Sequence, residues 1–188
     1  MPLQNTSDSY GAFTKLFHWI IVILFAWQYL SGNIMTEMQR GDVVASLTQN
    51  DYYNWHKSIG LVALAIAAFR LLNRYIGRLP GWAPTLSGGE KKVIHRLEQV
   101  LYLAMFVMPI SGFIYVMAGG FGVLMFGEFR LPDPIGRSET LAFIGKWVHI
   151  VSGWVLAAAV AGHLFIVLRH QLFMKDGLLL RMLPARRK

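Results

Sequence analysis

Apolar positions along the chain gather into four long runs separated by polar, Gly- and Pro-containing stretches, which predicts membrane-spanning helices at about 15–35, 55–74, 93–118 and 146–173. A helix rises about 1.5 Å per residue, so ~20 apolar residues cross a hydrocarbon core of roughly 30 Å. The first run, 16–35, outlasts the ~7–15 apolar residues of a secretory signal, so it is expected to be a retained first helix. The second run is short at its apolar limits, and Tyr53 and Trp55 extend it into the interface, where aromatic rings anchor. Arg78-Leu79-Pro80-Gly81-Trp82-Ala83-Pro84 and Ser87-Gly88-Gly89 break the chain before the third helix. Leu131-Pro132-Asp133-Pro134-Ile135-Gly136 does so before the fourth. The apolar stretch 121–126 within the last connection is expected to lie on the membrane or to cap the bundle. There is no internal repeat. The expected architecture is an all-α membrane protein, one transmembrane domain over 1–188 built as a four-helix bundle.

Composition agrees with a bilayer as solvent. The chain is 55% hydrophobic and 15% charged, with a mean hydropathy of +0.44, where a soluble domain carries about a quarter charged residues. The formal net charge of +8 raises nucleic acid as a partner, but the basic residues sit at the ends of apolar runs and not in an aromatic-interleaved stripe. An even number of helices puts both termini on one side, with the 75–92 connection. That side holds thirteen of the 18 Lys and Arg, including Lys15, Arg70, Arg74, Lys91, Arg169 and the terminal Arg186, Arg187 and Lys188. Positive charge marks the cytoplasm, so both termini are expected there. The remaining five, Arg40, Lys57, Arg130, Arg137 and Lys146, are balanced by Glu37, Asp42, Asp51, Glu128, Asp133 and Glu139. The charge is a topology signal. With no cysteine, disulfides, thiolate-bound zinc, iron–sulfur clusters and thioether-linked haem are all excluded.

Six histidines in so apolar a chain need an account, because ionisable groups inside a membrane are costly and usually functional. A lone histidine at a helix end is more often an interfacial residue than a ligand. Position separates four of the six from that reading. His149 and His163 are fourteen residues apart on the fourth run, within about 40° of one helix face and ~21 Å apart along it. His18 opens the first run and His56 the second, from opposite sides. Helix order alone therefore sorts them into two same-level pairs, His18 with His163 and His56 with His149. Paired imidazoles inside a helix bundle are what bis-histidine haem ligation requires. Gly60, Gly153 and Gly162 would let a flat macrocycle approach the backbone, or serve ordinary close helix packing. Arg70, inside the apolar end of the second run, snorkels to the interface or pairs with a haem propionate. Lys57 and Lys146 flank the periplasmic histidines, to hold propionates or to attract a small anion. His95 and His170 lie at the cytoplasmic boundary, as proton-relaying walls of a quinone pocket or as solvated interfacial residues; for His170 the solvated reading is preferred. The methionines, such as Met105, Met108 and Met117, read as packing.

Taken in order, these residues resemble the prokaryotic cytochrome b561 family over nearly the whole chain. The resemblance rests on Phe17-His18-Trp19, His56-Lys57-Ser58-Ile59-Gly60, Arg70-Leu71-Leu72-Asn73-Arg74, the His149/His163 spacing and the tail Lys175-Asp176-Gly177-Leu178-Leu179-Leu180-Arg181-Met182. It implies a multi-pass protein of the bacterial inner membrane, an oxidoreductase with two b-type haems ligated by His18, His163, His56 and His149. Electrons would pass between a periplasmic donor and the ubiquinone or menaquinone pool. Superoxide is the donor for one type of family member, and the 121–136 segment here does not match that type. The alternative is a membrane-anchor subunit exchanging electrons between quinone and a separate periplasmic redox protein. A proton- or metal-handling transporter is disfavoured, since Glu98 and Asp176 are boundary carboxylates.

Overall fold

The computed structural model describes residues 2–183; Arg186, Arg187 and Lys188, counted above among the cytoplasmic charges, lie outside them. Its frame is α1 (Ala12–Glu37), α2 (Gln49–Ile76), α3 (Gly88–Ala118) and α4 (Glu139–Arg169). Each is long and apolar enough to cross a membrane. Three helices start one to two turns before their apolar runs because polar caps nucleate them outside the hydrocarbon. Thr48 and Asp51 form a reciprocal capping box at α2, Ser87 and Glu90 another at α3, and the Ser138 hydroxyl accepts from the Leu141 amide at α4.

The connections on the side of Asp51 and Glu139 hold structure that the apolar pattern does not announce. β1 (Val43–Val44) and β2 (Leu47–Thr48) make a small hairpin, with Ala45 and Ser46 at positive φ in its turn. β3 (Leu124–Met125) and β4 (Phe129–Arg130) make a second. The second hairpin caps the bundle. Val123 is buried, the Phe126 amide donates to Ser58 Oγ at 2.7 Å, and the Phe126 ring stands edge-on to Trp55. The chain enters it through Gly120 and Gly122 at φ +77° and +65°, a reversal that a side chain would strain.

The helices pack as two hairpins, α1 against α2 and α3 against α4, with α2 touching α3 and few backbone contacts between α4 and the first pair. Lipid supplies no hydrophobic drive between helices, so close approach depends on small residues. Gly145 shows this, since a Cβ there would fall 2.8 Å from the Tyr115 amide nitrogen of α3. Ile21, Ala67 and Met105 join α1, α2 and α3 in the buried interior. Large apolar side chains such as Ile23, Leu103, Trp154 and Phe165 face outward, as lipid contact requires.

Past Arg169 the helix widens into a π-helical turn, His170–Met174, and reverses at Lys175 and Gly177, both at positive φ. The short 3-10 turn Leu179–Arg181 then lays the tail across the cytoplasmic end. There Lys15 Nζ donates to the Leu183 carbonyl at 2.8 Å and Trp19 Nε1 to that of Met182 at 2.9 Å. Arg181 donates to the Gly81 carbonyl and covers the Tyr10 ring.

Candidate functional site

Four of the six histidines meet in two pairs across the gap between the helical hairpins. The ring centres of His18 (α1) and His163 (α4) are 6.3 Å apart, and those of His56 (α2) and His149 (α4) are 6.2 Å apart. Backbone contact there is sparse, so side chains alone span the gap.

Hydrogen bonds fix the upper pair. His149 Nδ1 stands 2.8 Å from the Met108 carbonyl, which can only accept, so Nδ1 carries the proton and Nε2 keeps its lone pair. His56 Nδ1 is 3.0 Å from Ser31 Oγ, and that hydroxyl gives its own proton to the Gln28 carbonyl. Ser31 therefore accepts, and His56 is left in the same tautomer. At the lower pair, among the described residues, neither His18 nor His163 has a hydrogen-bond partner, and His18 Nδ1 is buried without one.

Ser31, Gly32, the Met108 carbonyl and Gly112 were not singled out in the sequence. A Cβ on Gly32 would lie 3.3 Å from His56 Cε1, and one on Gly112 2.9 Å from His149 Nδ1. The signal available was a repeated Ser-Gly pair inside apolar runs, at Ser31-Gly32, Ser111-Gly112 and Ser152-Gly153. The glycines that were singled out pack instead against side chains: Gly60 against Gln28, Gly153 against Met108 and Gly162 against Leu97.

Arg70 is half-buried, donates to the Tyr102 hydroxyl at 3.3 Å and lies within electrostatic reach of both His18 and His163. It has no carboxylate partner among the described residues, whereas Arg74 pairs with Glu98 and Arg169 with Glu90. Lys57 is half-buried beside His56 and donates to the Gly122 carbonyl at 3.0 Å. Lys146 is exposed. Above Lys57, an open cleft of about 370 Å³ is lined by Gly120, Gly122, Arg130 and Asp133.

His95 is exposed and bonds only its own helix, through Gln99. The solvated reading preferred for His170 is wrong. The π-helical turn swings this ring inward, where it is fully buried, with Nδ1 2.6 Å from Asp176 and Nε2 3.6 Å from Glu90. Burial works to raise the Asp176 carboxyl, but hydrogen bonds from His170, Thr85 and the Leu178 amide outweigh it and hold the group at about 2. A depressed carboxylate contributes stability above its ordinary value near 4 that is lost as pH falls towards about 2. Acid titration of the detergent-solubilised protein should therefore show the tail loosening in that window. Asp176→Asn should flatten the step, and superimposable curves for the two proteins would show that this carboxylate anchors nothing.

A family profile described as prokaryotic cytochrome b561 matches residues 9–185. The chain belongs to this family. It is similar to cytochrome b561 homolog 2 of Escherichia coli (strain K12), 28% identical over 97% of this chain and 95% of that protein. Cytochrome b561 homolog 1 of the same organism is 25% identical over 90% and 94%. A protein of Yersinia pestis named probable superoxide oxidase CybB is 24% identical over 90% and 93%. This cytochrome is thus a multi-pass protein of the bacterial inner membrane that binds haem b and transfers electrons across the bilayer.

The donor set suits haem. No group of three His, Asp or Glu is gathered to hold a bare metal ion among the described residues, and an iron inside a macrocycle asks the protein for only two axial ligands. A metal–imidazole bond of about 2.0–2.1 Å on each side puts facing ring centres roughly 6.2–6.4 Å apart, which is the spacing of both pairs. The cavity between His56 and His149 is only about 40 Å³. Beside it the ends of the Gln28 and Met108 side chains lie over Gly60 and Gly153, where no Cβ stands in the way of a flat group.

Proposed function

We propose that His18 with His163, and His56 with His149, are the axial ligands of two b-type haems. In this reading the chain, acting as one unit, carries electrons between a periplasmic donor and the membrane quinone pool. The observation that carries it is the pair of facing imidazoles at each of two depths, both at the separation an iron between them needs. The haems supply the one-electron chemistry when bound, and the chain sets their spacing, tautomers and counter-charges. Arg70 is the counter-ion for a propionate at the lower level, where it otherwise lacks a carboxylate among the described residues. The dithionite-reduced protein should give a b-type spectrum with two haems per chain. A colourless, folded preparation would end the proposal.

For the donor we favour a small anion, superoxide among them, so that the activity is superoxide:quinone oxidoreduction. Lys57 beside His56 and Arg130 in the cleft above it support this reading, as does a relative named probable superoxide oxidase. Quinone takes two electrons and two protons to become quinol. His170, bracketed by Asp176 and Glu90 two turns beyond His163, is the proton relay in this scheme, and a quinone head lies at that cytoplasmic level. Quinone reduction driven by superoxide should fall about threefold to tenfold in Lys57→Gln, with a flatter salt dependence. Lys146→Gln should lose less, because solvent screens an exposed charge. Equal rates in wild type and both variants would reject electrostatic steering. Dependence of the rate on an added periplasmic redox protein would favour the anchor-subunit alternative.

A further inference from the structure

The two histidine pairs have the same spacing but different surroundings. At the periplasmic level both imidazoles give their Nδ1 proton away, His56 to Ser31 Oγ at 3.0 Å and His149 to the Met108 carbonyl at 2.8 Å. At the cytoplasmic level neither ring has an acceptor among the described residues. Whichever nitrogen of His18 faces His163, the other is unbonded. A hydrogen bond given by the second nitrogen makes a ligating imidazole more basic. A more basic ligand favours the ferric ion and lowers the reduction potential.

Charge acts in the same direction. Within electrostatic reach of its histidines each level has a half-buried cation without a carboxylate partner among the described residues, Arg70 below and Lys57 above, and these offset each other. Arg130 is exposed, so solvent screens it. Lys15 has no such counterpart among the described residues. It is only 9% exposed, lies one helical turn before His18, and has as its partner the uncharged Leu183 carbonyl. A buried positive charge favours the less positive, ferrous ion and raises the potential.

We infer that the hydrogen-bonded periplasmic pair and the cation-backed cytoplasmic pair set two different haem potentials, the periplasmic one lower, so that electrons run inward. Ser31 and Lys15 are the positioning residues that set this order. The inference rests on the two-haem reading above. Two one-electron oxidations of the periplasmic donor supply the two electrons that, with two protons, convert one quinone to quinol.

Potentiometric titration of the haem-loaded protein, followed by its absorbance, tests this without any turnover. Two midpoints are expected. Ser31→Ala should raise the lower one and leave the upper in place. Lys15→Met should lower the upper one and leave the lower in place, with Lys15→Arg restoring it. If Ser31→Ala sheds haem, Ser31→Cys, whose sulfur is a weak acceptor, should still raise the lower midpoint. A single shared midpoint, or a variant that shifts the opposite component or neither, overturns the inference while the two haems stand. A colourless wild type would instead remove the haem reading from which it starts.

Discussion

His163→Ala should leave one haem per chain where the wild type holds two, and the survivor should be the periplasmic one. The substitution strips the lower level of one of its two imidazoles. His18 then has no opposite ring, and nothing nearby replaces it: His95 is exposed and His170 is already engaged by Asp176. The upper level lies ~21 Å away along α4 and depends on α2 in place of α1 and on its own hydrogen bonds, given by His56 to Ser31 and by His149 to the Met108 carbonyl. Changes at sites separated by more than about 7–10 Å, with no shared partners, act nearly independently. Pyridine haemochrome quantitation against protein concentration gives the count, and the surviving midpoint gives the identity. Equal loss of both haems, or of neither, would break the pairing.

Gly112→Val should do the reverse, emptying the periplasmic level and sparing the cytoplasmic one. A single Cβ at Gly112 already comes within 2.9 Å of His149 Nδ1 and 3.0 Å of its Cε1, and two further methyl groups have nowhere to go. The ring cannot yield without breaking its bond to the Met108 carbonyl. Overpacking of this kind costs roughly 1–3 kcal/mol, and the ligand's aim is lost with it. Gly112→Ala should give a partial version, with lowered haem occupancy or a shifted Soret band confined to one haem. A Gly112→Val protein holding two haems with unaltered midpoints would show that α3 does not position His149.

Of the bundle, what could be read from the chain was what depends on runs and order. Four apolar stretches place four helices in lipid because nothing else satisfies a backbone there. Helix alternation puts His18 level with His163 and His56 level with His149 whatever the packing angle. The helix starts were missed by one to two turns because Thr48, Ser87 and Ser138 cap segments that are polar, and hydropathy does not see a cap. The hairpin at β3–β4 resolved a choice left open: 121–126 caps the bundle through Ser58 and Trp55, and no apolar count distinguishes that from lying on the membrane.

His170 is the clearest case of tertiary structure overruling sequence position. Beside Arg169 at the end of an apolar run, a histidine reads as solvated. The π-helical turn rotates it under the returning tail, and Asp176, six residues on, reaches back to it. The Lys175-to-Met182 stretch is legible as a pattern, but its closing over Lys15 and Trp19 is visible only in the fold. The sequence by itself determined the solvent, the number of crossings and the depth of each imidazole, because these follow from length, hydropathy and alternation. Only the folded bundle decided which nitrogen of His56 and of His149 is free, which glycines stand against those rings, and which cations lack partners among the described residues. Those depend on side chains from different helices meeting within a few ångströms, and no one-dimensional pattern encodes that distance.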